Sequence, residues 1–195
     1  MKKFVMVLLV LAVVGSSAFA FDILSFPPPL EGGGKLMVDL GIGYAGWGTY
    51  SGWKMKVPPL VATVEFALPV NVPISVGGLF SFSQYTWDWN VYGYSSAHKW
   101  THTYMIFAAL ANWHWGFDVK WMDVYTGLNI GYQSYSSKYD GPDKDYASRY
   151  YSWDYSGIYW GTQVGIHFYF TDVIGLALEV GYPIYAKAAL ALKFL

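Results

Sequence analysis

The chain contains no cysteine. That absence removes disulfides, thiolate metal sites, cysteine nucleophiles and any lipid-modified cysteine. Charge is also scarce: 13 % of the 195 residues are Asp, Glu, Lys or Arg, about half the usual share. Arg149 is the sole arginine. No basic run interleaved with aromatics is present, so nucleic acid is not expected as a partner. After residue 20 no apolar run approaches the roughly 20 residues of a helical membrane span. Yet 54 % of the residues are hydrophobic. Such a chain has to bury its apolar surface, or expose it to lipid, through strands.

What is present follows a simple plan. Lys2 and Lys3 open the chain, residues 4–14 form an apolar stretch, and Ala18-Phe19-Ala20 has the small-x-small form of a cleavage site. Residues 1–20 therefore read as a signal peptide, with the mature chain starting at Phe21. Residues 21–34 hold Pro27-Pro28-Pro29 and Gly32-Gly33-Gly34. Neither a helix nor a central strand fits them, and they read as a periplasmic lead-in. Residues 35–195 alternate. Leu36, Val38, Leu40, Ile42 and Tyr44 form one apolar row, with Lys35, Met37, Asp39, Gly41 and Gly43 between them. A period of two gives a strand with two unlike faces.

Eight such segments are expected: 35–45, 60–68, 74–85, 100–115, 122–134, 157–170, 174–182 and 185–195. The connections 46–59, 85–99 and 135–156 are long and rich in Tyr, Trp, Ser and Gly. Those at 69–73, 116–121 and 171–173 are short, as is the one at Pro183. Long external loops and short periplasmic turns mark an outer-membrane barrel. The charged strand residues share the face rich in Gly and Ser, the inverse of a soluble lipocalin. Aromatics reach 21 %, with 10 Trp and 18 Tyr, residues that favour the membrane interface. The expected fold is an all-β, eight-stranded antiparallel up-and-down transmembrane barrel, monomeric, in the outer membrane.

Two stretches carry a family likeness: Gly127-Leu128-Asn129-Ile130-Gly131-Tyr132, and Gly165-Ile166-His167-Phe168-Tyr169-Phe170-Thr171-Asp172 leading into Gly175-Leu176-Ala177-Leu178-Glu179. With these the chain resembles the small eight-stranded outer-membrane proteins, the broad group around OmpX, OmpW and the OmpA transmembrane domain. The resemblance implies membrane lipids and a lipid A-type outer leaflet as surroundings, and the barrel-assembly machinery as a partner. That machinery commonly reads a terminal phenylalanine. Here Phe194 is penultimate and Leu195 last, so the outward row Leu190, Leu192 and Phe194 is expected to serve.

The inward charges are Lys35, Asp39, Glu65, Glu179, Lys187 and Lys193. Their balance of three acids and three lysines suits ion pairing within a narrow lumen. Eight strands leave an interior that side chains just fill. A blocked lumen is therefore expected, with short water-filled pockets beside Gly41, Gly43, Gly127, Gly131, Gly161 and Gly165. Arginine at the outward Leu40 or Leu128 should be far worse than arginine at Thr63, which lies beside Glu65 as a partner for the new cation. His98 and His102 lie near the external end of the fourth strand. Resembling proteins include outer-membrane lipid-modifying enzymes with an external histidine, but no spacing here joins Ser, His and a carboxylate into one set. His114 and His167 read as rim and lumen packing residues. Tyr139, Asp140, Asp143, Asp145 and Arg149 fall in an external loop fit for contact with an extracellular ligand. The Asp group lacks the terminal Glu of an EF-hand loop, and neither a metal nor a cofactor is expected. The reading that follows is a non-enzymatic protein with a structural or surface-interaction role. The second is a narrow channel, and the third an enzyme acting on lipid.

Overall fold

A computed structural model describes residues 21–45, 53–89, 98–141 and 156–194. Residues 1–20, expected as a signal peptide, and Asp143, Asp145, Arg149 and Leu195 lie outside the described residues. Eight long strands run in chain order: β1 (Leu36–Tyr44), β2 (Trp53–Ala67), β3 (Ile74–Trp89), β4 (His98–Phe117), β5 (Met122–Asp140), β6 (Gly157–Tyr169), β7 (Ile174–Gly181) and β8 (Ala186–Phe194). Each pairs antiparallel with the next. β8 pairs with β1, from Leu36 opposite Phe194 to Tyr44 opposite Ala186, and closes the barrel.

The expected parity holds on every strand. Leu40, Ile42, Val64, Phe107, Leu128, Ile130, Val164 and Leu190 are exposed on the outside. Asp39, Thr63, Glu65, Ser75, Asn112, Asn129, Gln163 and Glu179 are buried on the inside. A slip of one residue would reverse both faces, so the alternation fixes the register. Leu190, Leu192 and Phe194 face outward beside Leu40, Val38 and Leu36.

The strands overrun three of the connections expected to be loops. β2 begins at Trp53, β3 ends at Trp89, β4 begins at His98 and β5 ends at Asp140. Tyr139 and Asp140 therefore lie at a strand end. Pro58 and Pro59 hid the start of β2, since proline cannot donate to a ladder. The register of β2 against β3 shifts there, between Val57 and Leu60. The result is lopsided. β4 has 20 residues and β5 has 19, whereas β7 has 8 and β8 has 9. The upper ends of β2–β5 form a sheet that stands above the low side made by β6–β8 and β1.

The lead-in is part of the fold. Phe21–Asp22 pairs with Phe117 and Gly116 at the lower end of β4. A 3-10 turn at Pro28–Leu30 carries Leu30 into the lower mouth. There Leu30 packs with Met37, Ala67 and Phe26. Three successive glycines, Gly32, Gly33 and Gly34, take positive φ of 78°, 64° and 69°, a run that side chains resist. At Gly33 an added Cβ would lie 2.3 Å from the Leu68 carbonyl oxygen.

Candidate functional site

The interior is layered. Above the Leu30 plug lies a polar layer in which donors and acceptors form one connected network. Asn129 Nδ2 donates to Gln163 Oε1 at 2.6 Å, and Gln163 Nε2 donates to Asn112 Oδ1 at 2.7 Å. Asn112 Nδ2 and the Ser75 hydroxyl both donate to Glu65 Oε2, at 2.6 and 2.7 Å. His114 meets Ser75 Oγ through Nε2 at 2.9 Å and Asp123 Oδ1 through Nδ1 at 2.8 Å. His167 meets the other oxygen of Asp123 through Nδ1 at 3.0 Å and Asp39 through Nε2 at 3.3 Å. Lys187 Nζ donates to Asp39 at 3.2 Å and to Thr63 Oγ1 at 3.3 Å, and it pairs with Glu179 at 3.0 Å. Tyr125 donates to Glu179 at 2.7 Å.

Four carboxylates thus alternate with three basic groups across the lumen, in the order Glu65, His114, Asp123, His167, Asp39, Lys187, Glu179. His167 has a carboxylate on each ring nitrogen, so both nitrogens donate. The lone hydroxyl proton of Ser75 goes to Glu65, so His114 Nε2 donates to Ser75 as well. Buried charges persist when paired and hydrogen-bonded: Asp123, Asp39 and Glu179 each meet a basic group, and Glu65 is held by two neutral donors, Ser75 and Asn112. Ser75, His114 and Asp123 lie in the order of a hydrolase triad. In such a triad His accepts the serine proton; here the donor direction is the reverse.

The structure thus brings together Asp39, Glu65, Glu179 and Lys187, as their parity predicted. Lys193 instead donates to the Pro29 carbonyl at 2.9 Å and lies 4.3 Å over the Tyr169 ring, which ties down the plug. Lys35 stands just before β1 and takes no part in the string. Sequence reasoning missed Asp123, and it took His114 and His167 for packing residues. The signal for Asp123 was its parity, two residues before the inward Tyr125.

Large neighbours stand over two of the inner-face glycines. An added Cβ at Gly165 would fall 2.3 Å from the Tyr125 ring, and one at Gly43 2.6 Å from Ile184. Thr63 is enclosed against Lys187, so arginine there would meet a cation beside the partner expected in Glu65. Above the ionic string Val61, Leu79, Ile106, Leu110, Ala45 and Ile184 form an apolar layer, with Ala108 and Tyr159 against it.

Above that layer the two faces of the β2–β5 sheet exchange character. The inner face carries the cross-strand row Trp53, Trp87, Trp100 and Tyr139. Trp87 and Trp100 have centroids 5.1 Å apart, Trp100 and Tyr139 4.8 Å, and Trp53 stacks on His102 at 4.2 Å. His102 Nδ1 lies 2.6 Å from the Tyr135 hydroxyl, and His98 bonds the Tyr139 hydroxyl. Tyr85, Trp100, His102 and Tyr104 are buried. The opposite parity, apolar below at Phe107 and Leu128, becomes Thr101, Thr103, Ser134, Ser136 and Lys138 above. Here the sheet has the polarity of a soluble protein.

A closed barrel that is apolar outside and ionic within has the architecture of a membrane-spanning barrel. Aromatics ring its exterior at both ends, with Phe66, Trp121, Phe170 and Phe194 below and Tyr44, Trp160, Tyr182 and Tyr185 above. No family model and no curated protein matches the chain. Among solved structures, the chain is similar to Ail, the attachment invasion locus protein of Yersinia pestis, solved in complex with the heparin analogue sucrose octasulfate. That match has 8 % identity, covers 82 % of this chain and 97 % of that one, and has a TM-score of 0.32.

Proposed function

We propose that the chain is an outer-membrane protein that fixes a non-conducting barrel in the bilayer and presents the β2–β5 sheet outside the cell for recognition of an extracellular ligand. The observation that carries this reading is the exchange of faces on β2–β5. A sheet that turns polar outside and aromatic inside above an apolar band is built to stand in water. Tyr and Trp supply large rigid contact area at small entropic loss. The ion-paired and apolar layers support an anchor rather than a passage.

Two measurements test the reading. Because the chain lacks cysteine, a single introduced thiol reports its own side. Ser136→Cys should react with a membrane-impermeant maleimide on intact cells, and Asn71→Cys only after the outer membrane is opened. The reverse pattern overturns the orientation. Cells carrying the protein should also bind at least one member of an array of glycans and matrix proteins. A Trp87→Ala/Tyr139→Ala variant that still inserts should lose that signal. No binding above cells lacking the protein overturns the recognition role.

A further inference from the structure

Two polar atoms on the inner face of the projecting sheet have no hydrogen-bond partner among the described residues: His102 Nε2 on β4 and Tyr85 Oη on β3. The two residues are direct cross-strand neighbours, and they are 6 % and 0 % exposed. The Ser83 hydroxyl, next on the same face, does not reach Tyr85 in bonding geometry. A sealed polar group left unpaired is destabilising, and buried polar groups as a rule find a partner. Here the pair calls for one from outside the chain.

The chemistry of that partner follows from the surroundings. His102 Nδ1 already meets the Tyr135 hydroxyl at 2.6 Å. Burial pushes the imidazole pKa down to about 4, so the ring is uncharged at neutral pH. A neutral imidazole has one N–H and one lone pair, and the direction of the bond to Tyr135 sets which of them falls to Nε2. A hydroxyl serves in either case, because it both donates and accepts, and it serves Tyr85 in the same way. Charge is kept away from the pair. Lys54, Asp88, Lys99, Lys138 and Asp140 all take the outer parity, and Lys56, at the register shift of β2, is exposed. An ion entering here would lose its hydration without gaining a counter-charge. Aromatic rings stand around the pair instead, and their negative faces attract polarised C–H bonds. Trp53 covers the pair, 4.2 Å over His102 with planes 13° apart and 6.4 Å from Tyr85. It is half-buried and is the first residue of β2, so rotation about its own side-chain bonds uncovers the polar atoms beneath.

We infer that Tyr85 and His102, with Trp53 as a movable cover, form a subsite for an uncharged sugar of an extracellular glycan. This rests on the reading of the projecting sheet as a recognition surface. A sugar offers hydroxyls at its edge and C–H bonds on its faces. A hydroxyl pairs with His102 Nε2 and Tyr85 Oη, and the C–H face lies on the displaced indole. A site whose buried polar groups are satisfied only by a hydroxyl discriminates strongly against ligands that lack it.

The test uses the whole mature chain refolded into phosphatidylcholine vesicles. These are applied to an array of neutral oligosaccharides, their sulfated and sialylated counterparts, and a panel of matrix proteins. Wild type should bind at least one neutral oligosaccharide, and titration with that probe should shift the tryptophan fluorescence. Tyr85→Phe and His102→Phe each keep an aromatic ring and remove its polar atoms. Each should weaken binding of the probe, on the order of five-fold for a lost hydrogen bond. The urea midpoint of Tyr85→Phe should not fall, since the hydroxyl it loses is unpaired. Lys54→Gln/Lys138→Gln on the outer face should leave binding unchanged. Binding confined to the sulfated or sialylated probes or to matrix proteins overturns the sugar assignment and leaves the recognition role standing. Neutral binding that survives both Phe variants overturns the subsite. Binding to no probe at all overturns the recognition role together with it.

Discussion

Asp123 holds an imidazole on each oxygen, His114 at 2.8 Å and His167 at 3.0 Å, with no exposure to solvent. Removing it strands two donors in a closed interior. Asp123→Ala should lose about 3–5 kcal/mol of stability, the scale for breaking a buried pair, seen as a lower urea midpoint for loss of the folded barrel. Gly165→Leu should act on the same string from the other side, because the new side chain displaces the Tyr125 ring from Glu179. Its urea midpoint should fall even though no charge is changed, and an unchanged midpoint would show that the ring has space to move. At this scale the sequence was partly legible. Parity alone placed Asp39, Glu65, Glu179 and Lys187 inside. Adjacency of the first and last strands also put Lys187 within reach of Asp39; what the sequence could not show is partnership between strands that are not neighbours, since His167 meets Asp39 across the lumen and Lys187 meets Thr63 two strands away. Non-local pairing made Thr63 look roomy when it is enclosed.

Along a single strand the environment changes with height, and β5 shows it best. Its outward row runs Leu128, Ile130, Tyr132, Ser134, Ser136, Lys138. Arginine at Leu128 or Ile130 should cost roughly 2–4 kcal/mol of folding into lipid vesicles, and arginine at Ser136 close to nothing. The step between them measures where the hydrocarbon ends; equal losses at all three sites would place the whole strand in one medium. The overrun of β3, β4 and β5 was also written in the chain. Tyr85-Thr86-Trp87-Asp88-Trp89 and Trp100-Thr101-His102-Thr103-Tyr104 keep the period of two. The second is expected as strand; the first, beyond Tyr85, reads as a loop because its composition departs from that of the lipid-facing segments. The period persists while the faces trade roles, so a rule tied to apolar-out polarity stops too early.

For the molecule as a whole, two features stand in the lumen, the plug at the lower mouth and the apolar layer of Val61, Leu79, Ile106 and Leu110, and the anchor reading makes each a barrier to conduction. Planar bilayers holding the wild type should show no steady open-channel current. Deleting residues 21–33 should open the lower mouth and still give none, since the apolar layer remains. Sustained currents from the truncated protein would show that the plug is the sole barrier and would revive the channel reading. The unequal strand lengths have a further consequence. An even rim can be approached from every side, but this one has a tall back and a low front. Among the described residues the rim is lowest over β6–β8 and β1, so on the recognition reading a large extracellular body approaches the aromatic inner face from that side. A neighbour packed against that front in a crowded membrane shuts the approach, whereas one packed against the back leaves it open. On that reading, lateral arrangement in the membrane plane governs which copies are available to bind, without any change in the shape of the molecule itself.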